Sequence, residues 1–197
     1  MFRIHTVIAL ACCAALTGCL VPEKFSASAD FKTDGSYRYQ FDGTVVNALA
    51  AMEIQKNGKL SDQDRAKVQK ALDKEASRPG MQKLQATSDT RYALKYDGEL
   101  KMNEKHSGSP YFVLNVSTRD WKERRVLTVS GPQIKPKEQK ELEQLGIKPS
   151  GKIAITLPAD AKVLQHNAKG TPGLLSKAYT WDVGSLGDKP SIQFQLP

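Results

Sequence analysis

The most reactive side chains in this 197-residue sequence are three thiols, Cys12, Cys13 and Cys19, and all of them precede position 20. A thiol can take a lipid through a thioether, ligate a metal, form a disulfide or attack a carbonyl. After Cys19 there is none, so the rest of the chain can hold no disulfide, thiolate metal site or cysteine nucleophile. Two histidines lie beyond the leader: His106 in the polar turn "NEKHSGSP" and His166 in "VLQHNAKG", which also reads as a turn. No H-E-x-x-H, G-x-S-x-G or phosphate-binding glycine loop is present. Asp42 and Asp97 each precede a glycine and read as turn residues; Asp62, Asp64, Asp73 and Glu75 fall in helix-capping or solvent-facing positions. The expectation is a protein without catalytic residues, metal or cofactor, which acts by binding.

Residues 1–18 read as an export leader. Arg3 supplies one cation, an apolar run extends from Thr6 to Leu16, and the small pair Thr17-Gly18 closes it. Eleven residues rising about 1.5 Å each are too short to cross a bilayer as a helix. The tetrad Leu16-Thr17-Gly18-Cys19 resembles the lipobox of bacterial lipoproteins. That resemblance implies a diacylglycerol thioether on Cys19, cleavage before it, acylation of the new amino terminus, and loss of Cys12 and Cys13 with the leader. Each buried methylene of such a chain contributes roughly 0.8 kcal/mol, so two or three chains tether a domain stably. Leu20 follows the cysteine; in the enteric sorting rule an Asp there retains a lipoprotein in the inner membrane. The resemblance therefore implies the periplasmic face of an outer membrane in a diderm cell, and otherwise the outer face of the cell membrane.

A second group of residues bears on membranes. Arg119, Trp121, Lys122, Arg124 and Arg125 crowd into "STRDWKERRV". Tryptophan favours the membrane interface and cations attract phosphate headgroups, so one reading is a loop that touches a membrane or a headgroup. The plainer reading is a hairpin whose Trp121 covers the sheet while the charges solvate the turn, with Asp120 and Glu123 partly neutralising it.

Without the leader the chain has 28 Lys+Arg (29 less Arg3) against 21 Asp+Glu, an excess of seven cations. In an exported lipoprotein this suits phospholipid headgroups, lipopolysaccharide or acidic wall polymers rather than nucleic acid. The same lysines would also serve simply to keep a tethered domain soluble. The remaining length suits one domain that buries about 70% of its unfolded surface. The expected organisation is a leader at 1–18, a lipidated tether at 19–24 and a single domain at 25–197.

Elements that would carry these residues follow from periodicity. Phe25, Ala27, Ala29 and Phe31 alternate with polar residues, Asp34-Gly35 marks a tight turn, and Tyr37, Tyr39 and Phe41 alternate back to Asp42-Gly43, which predicts a hairpin. Val45, Ala48, Leu49 and Met52 predict a helix ending at Asn57-Gly58. Ser61 with Asp64 predicts the start of a second helix, which stops near Arg78-Pro79-Gly80. Further strands are expected at Thr87 to Tyr96 (ended by Asp97-Gly98), Tyr111 to Val116, Val126 to Ser130, Ile153 to Leu157, Val163, Ala178 to Trp181 and Ile192 to Leu196. Pro136 starts a short charged helix, with Gly146 left-handed and Ile147 touching Leu142 in a Schellman motif. The fold class is α+β: a largely antiparallel sheet of seven or more strands, two adjacent helices packed on one face, and a short inserted helix.

The closing third, from Ser150 to Leu196, resembles the LppM-like lipoprotein family. The shared points are a strand closing in Leu157-Pro158, Val163 followed by the turn residue Asn167, Trp181 in a strand, and a final alternating strand. That resemblance implies a β-rich domain with helices on one side and an apolar cavity that takes lipid or glycolipid. The residues themselves allow Val45, Leu49 and Met52 to roof a sheet lined by Phe31, Tyr39 and Phe41, or to fill a core. The expected function is that of a membrane-anchored, non-enzymatic envelope lipoprotein that binds a lipid, glycolipid or other amphipathic envelope molecule. The alternative is a structural or assembly factor that presents a protein-binding surface at the membrane.

Overall fold

In the computed structural model the described residues are 20–101, 107–108, 113–121, 124–174 and 176–196; Cys19, His106 and Lys122 lie outside them. The element order is β1 (Leu20–Phe31), β2 (Tyr37–Asn47), α1 (Ala48–Asn57), α2 (Asp62–Ala76), β3 (Met81–Ala86), β4 (Arg91–Leu100), β5 (Ser107–Gly108), β6 (Asn115–Trp121), β7 (Arg124–Ser130), α3 (Pro136–Gln144), β8 (Ser150–Thr156), β9 (Lys162–His166), β10 (Ala178–Val183) and β11 (Ser191–Gln195). The chain is α+β, and its strands divide between two sheets, one of six in the order β10-β8-β1-β2-β4-β3 and one of five in the order β5-β6-β7-β11-β9. Among the described ladders only β1–β8 is parallel.

One core joins the two sheets. Ala27, Ala29 and Phe31 of β1, Tyr37, Tyr39 and Phe41 of β2, and Tyr92, Leu94 and Tyr96 of β4 point to one side, as the two-residue strand period requires. They meet Leu127, Val129, Ile192 and Phe194 of the second sheet, with Phe31 edge-on to Phe194 at 5.1 Å between ring centroids. The residues that could have lined a cavity under Val45 therefore fill a core instead. A second, smaller cluster lies elsewhere: Val46, Ala48 and Ile147, packed with Val21, Ala51, Leu142 and Leu145, seat α1 and α3.

The β1–β2 hairpin turns at Asp34-Gly35. Gly35 has φ +84°, and the Asp34 carboxylate accepts from the Ser36 N–H at 2.9 Å and the Ser36 hydroxyl at 2.6 Å. Ser61 caps α2, its Oγ accepting the Asp64 N–H at 3.1 Å. The end of α3 is the Schellman motif expected from the sequence: Gly146 has φ +74°, and the Ile147 N–H donates to the Leu142 carbonyl at 3.0 Å.

Two dipeptides that read as strand ends are strand interiors. Asp42-Gly43 lies inside β2 and Asp97-Gly98 inside β4, where Gly43 pairs with Leu94 and Gly98 with Tyr39. Glycine is required there by close approach rather than by a turn. A Cβ on Gly43 would stand 2.2 Å from the Lys24 carbonyl oxygen, and one on Gly98 2.5 Å from the Tyr96 hydroxyl. Asp97 is a cross-strand ion-pair partner: its oxygens accept from Arg38 Nε at 2.7 Å, Arg38 Nη2 at 2.6 Å and Gln40 Nε2 at 3.0 Å. The Arg38 guanidinium is the main cause that holds the Asp97 carboxyl down at about 2.

Candidate functional site

The site is built on the first described strand. β1 begins at Leu20, so the strand already includes residues 20–24, the stretch that reads as a tether in the sequence. Leu20 pairs with Asn47, Val21 with Val46 and Pro22 with Val45; the register then slips between Pro22 and Lys24. A bulge inserts one residue and flips the phase of alternation. Leu20 and Pro22 thus share a face with Phe25, Ala27 and Phe31 although their numbers have the opposite parity. Glu23, at the bulge, holds Arg91 of β4 in a two-pronged pair, with Nε–Oε2 and Nη2–Oε1 both 3.0 Å.

Against this segment lies α1. Its cap, Asn47, is 4% exposed and accepts the Ala50 N–H at 3.0 Å; its C-terminus closes on Gly58, φ +77°. The helix buries Ala48 and Ala50 and leaves Leu49 51% exposed. α3 runs across from it, held by Ile147, which is fully buried. Gln139 of α3 donates from Nε2 to the Ile134 carbonyl at 3.0 Å and the Leu186 carbonyl at 3.4 Å, which ties the helix to the segment after β10. In that segment the Asp188 carboxylate accepts the N–H groups of Gly184 (2.7 Å) and Ser185 (2.9 Å). These bonds, led by that from Gly184, lower its pKa.

Between these parts is a cleft of about 330 Å³. It is lined by Leu20, Val21, Pro22 and Phe25 of β1, Leu49 and Met52 of α1, Leu142 of α3 with the helix's C-cap Leu145, and Ile134 and Leu186. Among the described residues the polar ones are Gln133, Glu138, Glu141, Ser185 and Asp188, and no lysine or arginine lines it. Such a space accepts hydrocarbon, and its polar margin offers hydrogen-bond acceptors to a headgroup that carries hydroxyls or amines.

Leu49 and Met52, expected as a roof over aromatic residues, do line a cavity, but with different neighbours. The walls from α3 and from 132–134 and 184–190 were not legible as site residues. α3 reads as a charged helix, and only the spacing of Leu142 and Leu145 signals an apolar face.

Of the basic cluster, Arg119 and Arg125 do not line the cleft, and Lys122 lies outside the described residues. The others stand in strands rather than in a long connection: β6 runs through Trp121 and β7 starts at Arg124. The register places Trp121 opposite Arg124 and Asp120 opposite Arg125. Arg119 and Arg125 are exposed, and Arg125 Nη1 donates to the Asp34 carbonyl at 3.3 Å. His166 ends β9, exposed, with its ring 5.0 Å from that of Tyr179 and its Nδ1 accepting the Ala168 N–H at 3.1 Å. The turn residue Asn167 is a staple: Oδ1 accepts Trp181 Nε1 and the Ser191 N–H, each at 2.8 Å, and Nδ2 donates to the Lys189 carbonyl at 2.8 Å. Among the described residues no three His, Cys, Asp or Glu side chains gather as metal ligands would, and no helix is long and apolar enough to cross a membrane.

No known family profile and no curated protein matches the chain. Among solved structures it is similar to the folded domain of LppM from Mycobacterium tuberculosis, determined by NMR, at 11% identity and a TM-score of 0.42, with 90% of each chain covered.

Proposed function

We propose that the protein is a lipid-anchored envelope lipoprotein, attached through Cys19, whose cleft takes the apolar part of an amphipathic envelope molecule without chemically transforming it. The observation that carries this reading is the composition of the cleft, with walls of aliphatic residues, prolines and Phe25, no cation among the described residues, and acceptors confined to a few polar residues. A methylene fills about the volume of a water molecule, roughly 30 Å³. The cleft thus holds a run of about eleven, worth about 9 kcal/mol of gross transfer from water at ~0.8 kcal/mol each.

That sum is measured against water, and a bilayer offers the same chain an equally apolar home. Burial alone therefore does not extract a lipid; the polar margin must supply the difference. Glu138, Glu141 and Asp188 repel phosphate and suit hydroxyl or amine donors, so a sugar- or amine-bearing headgroup fits better than a phosphate. The basic excess of the chain then serves to hold the domain near an anionic surface rather than to read the ligand.

The test is mass spectrometry of lipids extracted from a purified, unlipidated domain in which Cys19 is replaced by serine. A stoichiometric amphiphile is expected. An empty protein that also binds no added fatty acid or glycolipid overturns the reading and favours a role in holding a protein partner.

A further inference from the structure

The position of the cleft relative to the anchor suggests a more specific arrangement, one that rests on the reading above. Leu20 is both the residue that follows Cys19 and a wall of the cleft, and it is 5% exposed. It is paired in β1 with Asn47, the cap of the helix whose Leu49 and Met52 form another wall. No spacer separates anchor from domain: the Cα of residue 19 is one peptide unit, about 3.8 Å, from that of Leu20. A chain attached to Cys19 therefore starts one residue from a wall of the cleft.

We infer that the resident occupant of the cleft in the mature protein is one of the acyl chains carried by Cys19, and that an incoming amphiphile must displace it. A chain tethered by so short a connection exchanges between cleft and bilayer at nearly equal apolar cost, and while it lies in the cleft a free lipid must compete with it. The volume of about 330 Å³ has room for the inner part of one chain and not for two. A second and third chain remain in the bilayer, so occupancy does not cost the anchor. Displacement returns the resident chain to the membrane and strengthens attachment. The cleft thereby couples loading to anchoring, as a two-state device whose states differ in where one chain lies.

The experiment compares two forms of the protein: the mature lipidated chain reconstituted in phosphatidylcholine nanodiscs, its acylation verified by intact mass, and the Cys19→Ser chain mixed with empty nanodiscs of the same lipid. Both are titrated with N-dodecyl-dansylsulfonamide, an uncharged probe with an N–H donor, followed by dansyl emission. The Cys19→Ser chain is expected to bind one equivalent saturably and the lipidated chain at least about twofold more weakly, as competition with a chain shared between cleft and bilayer requires. Amide hydrogen exchange in α1 should also be slower in the lipidated form before probe is added. Equal affinity and equal exchange in the two forms overturn self-occupancy and leave the cleft as a binding site. Absence of binding to the Cys19→Ser chain overturns the cleft reading itself and this inference with it, as does a mature protein that carries no acyl group.

Discussion

Replacing Leu49 by alanine tests the cleft at a wall that is only half committed to the fold. Leu49 is 51% exposed in the free domain, and an acyl chain in the cleft would cover the exposed part. The substitution removes three carbons, worth about 2.4 kcal/mol when fully transferred from water at ~0.8 kcal/mol each. Half of that, about 1.2 kcal/mol, is realised only on binding, so affinity for a medium-chain alkyl glycoside should fall roughly eightfold, since 1.36 kcal/mol is tenfold. The other half is lost from the free domain, offset slightly by the better helix propensity of alanine, which places the cost near 1 kcal/mol and the fall in Tm at about 2–4 °C. Calorimetric titration of the unlipidated domain at 25 °C, well below the transition, reads the affinity directly. A dissociation constant unchanged within twofold, with the expected loss of stability, would show that ligand does not cover Leu49 and that the cleft is not the site.

Two other substitutions probe the frame. Asp97→Asn should remove a pH dependence: the Arg38 pair holds the Asp97 carboxyl at about 2 against 3.8 unperturbed, so its contribution is full above pH ~4 and is lost as pH falls toward 2. The shift alone corresponds to ~2.5 kcal/mol, but Arg38 is half exposed and water screens the pair, leaving about 1 kcal/mol. Urea denaturation from pH 5 to pH 2 should show a shallower loss of stability in the variant; identical pH profiles would contradict the assignment. Gly43→Ala drives a methyl against the Lys24 carbonyl at the β1 bulge and should cost at least about 2 kcal/mol. The measurement is a denaturant midpoint, with hydrogen exchange expected to quicken first at residues 20–24; a neutral result would mean that the bulge yields without cost.

Much of the frame is legible in the sequence because local rules and tertiary demands agree there. Asp34-Gly35 had to turn, Ser61 had to cap, and Gly146 with Ile147 had to close α3, since each depends on residues only a few positions apart. Failures have particular causes. Asp42-Gly43 and Asp97-Gly98 carry turn chemistry, but their glycines answer to a neighbouring strand and a tyrosine ring, which composition does not reveal. Met81–Ala86 was missed because it is an edge strand with only Met81 and Leu84 packed inward, too few to show alternation. Residues 20–24 read as a tether because the bulge reverses the parity that Phe25 to Phe31 establish. The cleft draws its walls from several separated segments, and no periodicity within one of them encodes the space between them.

The parallel ladder between β1 and β8 sets the order in which this chain can become a protein. β1 comes first, yet it lies inside its sheet, and Lys24 finds its second partner only in Ser150. Until nearly all of the intervening chain is available, Ser26–Asp30 present a bare row of backbone donors and acceptors. Non-local closure of this kind is slow, on the order of milliseconds to seconds, and the open edge is a template for pairing with other molecules. A polypeptide that stops short of Ser150 should therefore yield aggregate rather than a smaller folded unit.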